Sequence, residues 1–227
     1  YEGCAHGCLY CSQMRRCLRF KIFKDRRDWM NPRVVKNPVP LLITELGNTL
    51  PSDAWVWLSA ATDPYQPIEN ETHLTSEILK ILVQRRIVTK ILTKSERVYN
   101  DEDTIIRHND LVTVGFTITT LDDELARKWE PNASLIHDRM KALRYFYANG
   151  VNVWMSGEPL LDDRPDLILD KLEDIAKDQA RSYWIFGKDN YMKRPLPYRE
   201  MRDRILNWFQ ERGLTNYLIK RELWEVN

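Results

Sequence analysis

Short apolar segments alternate with amphipathic stretches along most of this chain, and that alternation narrows the available folds more than any other feature. Ala54–Ser59, Ile87–Leu92, Leu111–Ile118, Val151–Met155 and Ser182–Phe186 read as strands, with a short further one near Tyr217–Ile219. Between the first two, Leu74–Val83 carries Leu74, Ile78, Leu79 and Leu82 at helical spacing. Leu41–Leu46 reads as a helix introduced by Pro38 and Pro40 and ending at Gly47. Asp101–Arg107, Asp122–Trp129, Ser134–Ala148, Pro165–Ala176 and Tyr198–Arg212 also read as helices, the third stopped by Asn149-Gly150. Gly187–Pro197 reads as irregular. Strands alternating with helices imply an α/β protein with a parallel sheet. Such units curve into a barrel or wind into an open sheet, and periodicity does not choose between them. Either way, ligands bind at the C-terminal ends of the strands, so polar residues there are the functional candidates.

Chemistry enters at the start of the chain. Cys4, Cys8 and Cys11 stand in the run Cys4-Ala-His-Gly-Cys8-Leu-Tyr-Cys11, with Gly7 permitting a tight bend. Gaps of three and two residues let one short loop aim three thiolates at one point. A cubane [4Fe–4S] cluster held by three cysteines leaves one iron open to another ligand. The competing reading is a structural zinc site with His6 or Cys17 as fourth ligand, but zinc sites usually draw on two separated pairs of ligands. A third reading, a redox carrier with Cys17 as fourth thiolate, would leave no open iron.

With 227 residues, 43% of them hydrophobic, the chain can bury a substantial core and is most simply one domain. The formal net charge of +1 gives no global field to recruit nucleic acid or an anionic membrane. No apolar run has the roughly 18–20 residues that span a bilayer. Four cysteines, three of them crowded together, make a poor disulfide framework and suit a reducing cytoplasm. Charge is uneven locally. Met14–Lys36 holds nine basic residues against Asp25 and Asp28, a net +7, and its Leu18, Phe20, Ile22 and Phe23 suggest a strand or extended arm.

Four segments in order carry a family resemblance: Gly3–Cys11, Thr62-Asp-Pro-Tyr-Gln-Pro-Ile-Glu69, Ile91-Leu-Thr-Lys-Ser95 and Val114-Gly-Phe-Thr-Ile-Thr-Thr-Leu-Asp122. Together they resemble the radical S-adenosylmethionine (SAM) proteins of the spore photoproduct lyase-like group, often labelled DNA repair photolyase-like. The resemblance runs from Tyr1 to about Leu161. It implies an incomplete (β/α)6 radical SAM barrel, with a first strand expected ahead of Tyr1. Residues 1–36 would form the cluster loop and basic arm, 37–186 the barrel core and 187–227 a C-terminal extension. It further implies a [4Fe–4S] cluster and S-adenosyl-L-methionine as cofactors. Reductive cleavage of SAM to a 5′-deoxyadenosyl radical would abstract hydrogen from a substrate, here DNA or RNA, with flavodoxin or ferredoxin as electron donor. Ser12 departs from the pattern, where many relatives carry a second aromatic residue. A non-catalytic nucleic-acid-binding module stabilised by zinc or a cluster is the alternative.

The resemblance assigns Cys4, Cys8 and Cys11 to the cluster and sets Tyr10 beside the adenine. Lys94 ends the second strand and is placed to pair with the SAM carboxylate. Thr117 and Thr119 share one side of their strand, from which they could bond the methionyl group or ribose. Ser59, Thr62 and Asp63 follow the first strand, where the family contacts the amino end of SAM; Asp63 could equally cap a turn. Tyr65, Gln66 and Glu69 are candidates for shaping the pocket. Glu158, after the fourth strand, could accept from a ribose hydroxyl. Cys17 is a candidate hydrogen-atom donor, against the alternative of a buried inert thiol.

Overall fold

The computed structural model describes residues 1–47, 54–189 and 195–225. Six parallel strands form one sheet in the order of their sequence: β1 (Trp55–Leu58), β2 (Val88–Thr93), β3 (Val112–Thr117), β4 (Asn152–Gly157), β5 (Ser182–Phe186) and β6 (Tyr217–Ile219). This order never reverses, so the sheet lacks the switch point of a doubly wound fold and has the connectivity of a barrel left open between β1 and β6.

Twelve helices are described. They are α1 (Ser12–Arg19), α2 (Arg26–Trp29), α3 (Pro38–Gly47), α4 (Glu69–Thr72), α5 (Leu74–Gln84), α6 (Glu102–Arg107), α7 (Asp123–Trp129), α8 (Ile136–Ala148), α9 (Pro165–Lys171), α10 (Glu173–Ala176), α11 (Tyr198–Glu211) and α12 (Arg221–Trp224). A 3-10 turn, Glu96–Asp101, precedes α6. Side-chain alternation assigns the faces. Leu58, Ile91, Val114, Phe116, Val153, Met155, Trp184, Phe186 and Ile219 point into the main core. There α5 packs on β2, α8 on β3 and β4, and α10 on β5. The opposite parity, including Trp57, Lys90, Gly115, Thr117, Trp154 and Ser156, lies on the concave face. Gly115 is required there, because a Cβ at this position would collide with the Trp154 indole. That indole crosses β3 and donates to the Ile91 carbonyl at 2.9 Å.

The stretch after residue 186 continues this architecture, since it supplies β6 and α11, which packs against α9. Part of the expected irregular segment Gly187–Pro197 lies outside the described residues. The basic arm requires a correction. Expected as an extended strand, it is the helical pair α1 and α2. Met14, Cys17 and Leu18, at helical rather than alternating spacing, bury against Phe23 and Trp29, while Phe20 and Ile22 flank the turn between the helices.

Candidate active site at the mouth of the open barrel

The cysteine loop covers the C-terminal ends of the strands, and its backbone is held from three directions. Gln66 accepts from the Ala5 amide at 2.9 Å and donates to the Gly3 carbonyl at 3.2 Å. Asn132 Nδ2 donates to the Ala5 carbonyl at 2.8 Å, and Arg26 Nη2 to the Gly7 carbonyl at 2.7 Å. Gly7 bends the loop at φ 63°, in the left-handed region that favours glycine. Cys11 Sγ then accepts from the Met14 amide and caps α1. Gln66 was a pocket-shaping candidate; it acts on the loop backbone, whereas Glu69 caps α5 through the Thr75 and Ser76 amides and Tyr65 donates to Asp101.

Beneath the loop lies a cavity of about 360 Å³. Cys4, Cys8 and Cys11 all line it, together with Tyr10, Ser59, Thr62, Asp63, Lys94, Thr117 and Glu158. Two of the predicted residues fall elsewhere. Thr119 is fully buried and donates to Glu130 Oε1 at 3.4 Å. Cys17 packs in the apolar cluster of Met14, Phe23 and Trp29. Burial raises the Cys4 thiol to about 12, reinforced by Asp63. Cys8 is raised further by burial, against an opposing pull from Lys94. Three sulfurs within electrostatic reach of one another, one buried and two half-buried, fit a group that takes thiolates and offsets their charge. Among the described residues, no three His, Cys, Asp or Glu side chains gather at the spacing of a single metal ion.

Asp63 organises the β1 and β2 ends. It accepts from the Tyr65 amide at 2.9 Å, Thr93 Oγ1 at 2.7 Å and the Lys94 amide at 2.8 Å. His6 Nδ1 lies 3.3 Å from Oδ2, the oxygen that accepts from the Lys94 amide, and burial of this carboxyl is outweighed by His6 and these donors, which hold it well below the usual range. The Lys94 side chain makes no hydrogen bond or ion pair among the described residues; its Nζ lies 5.8 Å from the Tyr10 ring centroid. Burial works against its charge, but Cys8, Glu130 and Asp63 outweigh it and keep the ammonium protonated. At the far wall Glu158 is already paired, to Lys220 at 2.6 Å and Ser156 at 3.1 Å.

Sequence reasoning missed the pair Glu130–Arg139, buried behind the loop with Nη2 and Oε2 at 2.5 Å. Tyr10 donates its hydroxyl to the same carboxylate, and Arg139 also donates to the Thr117 carbonyl at 3.0 Å. One signal existed: Arg139 sits on the stripe Ile136, Arg139, Leu143, Phe146, otherwise apolar at helical spacing. His6, Trp57 and Lys220 were also missed as wall residues.

No protein-family model matches the chain. It is 32% identical to an uncharacterized protein of Methanocaldococcus jannaschii over 168 residues, 74% of this chain and 60% of that protein. Among solved structures it resembles a radical SAM methyltransferase from Sphaerobacter thermophilus, with a TM-score of 0.61 and 16% identity over 98% of this chain and 65% of that one. Spore photoproduct lyase complexed with dinucleoside spore photoproduct gives a TM-score of 0.59 and 16% identity, covering 94% and 60%. Streptococcus suis SuiB bound to S-adenosylmethionine gives 0.55 and 14%, covering 70% and 36%. The chain thus spans less than two thirds of each of these proteins. It has a radical SAM fold, resembling that of spore photoproduct lyase.

Proposed function

We propose that this chain is a radical SAM enzyme, holding a [4Fe–4S] cluster through Cys4, Cys8 and Cys11 and SAM in the adjoining cavity. The observation that carries this reading is the convergence of three loop cysteines and the Lys94 ammonium, which makes no hydrogen bond or ion pair among the described residues, on one cavity at the C-terminal ends of the strands. Held there with one iron open, the cluster would supply the electron for reductive cleavage of SAM and so for hydrogen abstraction. The chain's own residues bind and orient. Lys94 would pair with the SAM carboxylate, and Ser59, Thr62 and Thr117 would offer hydroxyls to its polar groups. Asp63 has its oxygens committed to backbone and side-chain donors, so its part is to fix Lys94 and His6. Tyr10, tied to Glu130, would close the loop side of the cavity and exclude water.

Nucleic acid is the substrate class this reading favours. Support comes from α1, α2 and the turn between them, whose Arg15, Arg16, Arg19, Lys21, Lys24 and Arg27 are exposed. Replacing Cys4, Cys8 or Cys11 singly by Ala should abolish cluster assembly after anaerobic reconstitution, while Cys17→Ala should retain normal iron content. Equal iron loss in Cys17→Ala would indicate four-thiolate ligation and overturn the proposal.

A further inference from the structure

The helix α1 ends in a tip that no part of the cavity uses. The Lys21 amide donates to the Leu18 carbonyl at 3.1 Å and the Ile22 amide to the Cys17 carbonyl at 2.9 Å. These paired bonds make a Schellman cap, with Lys21 in the left-handed region at φ 55°, where glycine is usual. The residue after such a cap normally packs back onto its helix. Ile22 instead is 64% exposed and Phe20 is 66% exposed, the two most exposed large apolar side chains among the described residues. Arg16, Arg19, Lys21, Lys24 and Arg27 lie within seven residues of them along the chain, exposed and without ion pairs or side-chain hydrogen bonds among the described residues.

We propose that Phe20 and Ile22 form a wedge that enters the base stack of a duplex nucleic acid, while the surrounding cations hold its phosphates. This rests on the nucleic-acid reading above and deepens it. Apolar side chains inserted between base steps unstack them, and cations beside them recover part of the cost at the backbone. An enzyme acting on a base within a duplex must first take that base out of the stack, which such a wedge would assist. The tip is coupled to the cavity. Cys11 caps the far end of α1, and Arg26 from α2 grips the cysteine loop at Gly7. The eight residues of α1 span about 12 Å, roughly three to four base-pair steps. The local net charge of +7 over Met14–Lys36, in a chain whose total is only +1, makes this tip the part of the surface complementary to a polyanionic backbone.

The test uses the reconstituted protein with DNA and RNA duplexes containing 2-aminopurine, whose fluorescence rises when the base is unstacked. Wild type should raise the signal with at least one duplex. Phe20→Ala/Ile22→Ala should lose most of the rise while keeping the salt dependence of binding. Lys21→Gly, which suits the turn, should keep the rise, and Arg16→Ala/Arg27→Ala should flatten the salt slope. Absence of a rise in wild type, or an undiminished rise in the apolar double variant, would overturn the proposal. So would binding to phosphatidylserine vesicles that depends on Phe20 and Ile22 without any effect on the duplexes. A rise that depends on the tip, in protein whose cluster spectrum ignores SAM, would uphold the wedge and sink the enzymatic reading instead.

Discussion

His6 Nδ1 stands 3.3 Å from Asp63 Oδ2, joining the cysteine loop to the ends of β1 and β2 through one carboxylate. Replacing Asp63 by Ala would leave the Tyr65 and Lys94 amides and the Thr93 hydroxyl without their acceptor. Each unsatisfied buried group costs about 1–3 kcal/mol. Asp63→Ala should therefore lower the urea midpoint of the cluster-free protein substantially and reduce iron retention after reconstitution. An unchanged midpoint would show that these bonds contribute nothing to holding the site.

Lys94 offers a different readout, because its ammonium makes no hydrogen bond or ion pair among the described residues. A charge-assisted bond to a shielded carboxylate contributes about 1.5–3 kcal/mol, so Lys94→Ala should weaken SAM binding by roughly 10- to 100-fold. Iron content should not change. Equilibrium dialysis with labelled SAM gives the number, and equal affinity in both proteins would remove Lys94 from the binding site.

The pair Glu130–Arg139 predicts a pH signature. Burial alone would raise the Glu130 carboxyl, but Arg139 and Lys94 outweigh it and hold the group below its ordinary range. A depressed folded pKa gives stability that is fully present above the unfolded value of about 4.3 and is lost as pH falls through the folded value. Glu130→Gln should cost about 3–5 kcal/mol at neutral pH, since it strands the buried Arg139. That cost should shrink only in acid, below about pH 4. Denaturant titrations of both proteins from pH 3 to 7 measure it; a pH-independent difference would contradict the assignment. Glu130→Met/Arg139→Leu should recover much of the loss.

On the concave face, Gly115→Ala should displace the Trp154 indole, which also packs edge-on against Trp57 at 5.7 Å. Overpacking of this kind costs about 1–3 kcal/mol. Near-ultraviolet circular dichroism should change in the tryptophan region together with the fall in stability. An unaltered spectrum would mean that the indole has room to move.

Most strands and helices were legible because each depends on local periodicity: Ser182–Phe186 and Tyr217–Ile219 match residue for residue. Local periodicity also misled. Leu18, Phe20 and Ile22 alternate, yet Leu18 belongs to α1 and the other two flank its cap, so no strand exists there. That the cysteines, Lys94 and Thr117 meet at one cavity was legible from motif and strand ends. Glu130 meeting Tyr10, or Gln66 clamping Gly3 and Ala5, depends on contacts between residues up to 120 positions apart, which no window along the chain contains. Thr119 illustrates the limit: it shares the parity of Thr117 but follows the end of β3, where it turns to Glu130.

The most direct test of the central proposal is electron paramagnetic resonance of the anaerobically reconstituted, reduced protein, recorded with and without SAM. The account predicts a [4Fe–4S] signal that changes on addition of SAM, because three thiolates leave one iron for it. A cluster signal indifferent to SAM, or zinc with no cluster after reconstitution, would contradict it.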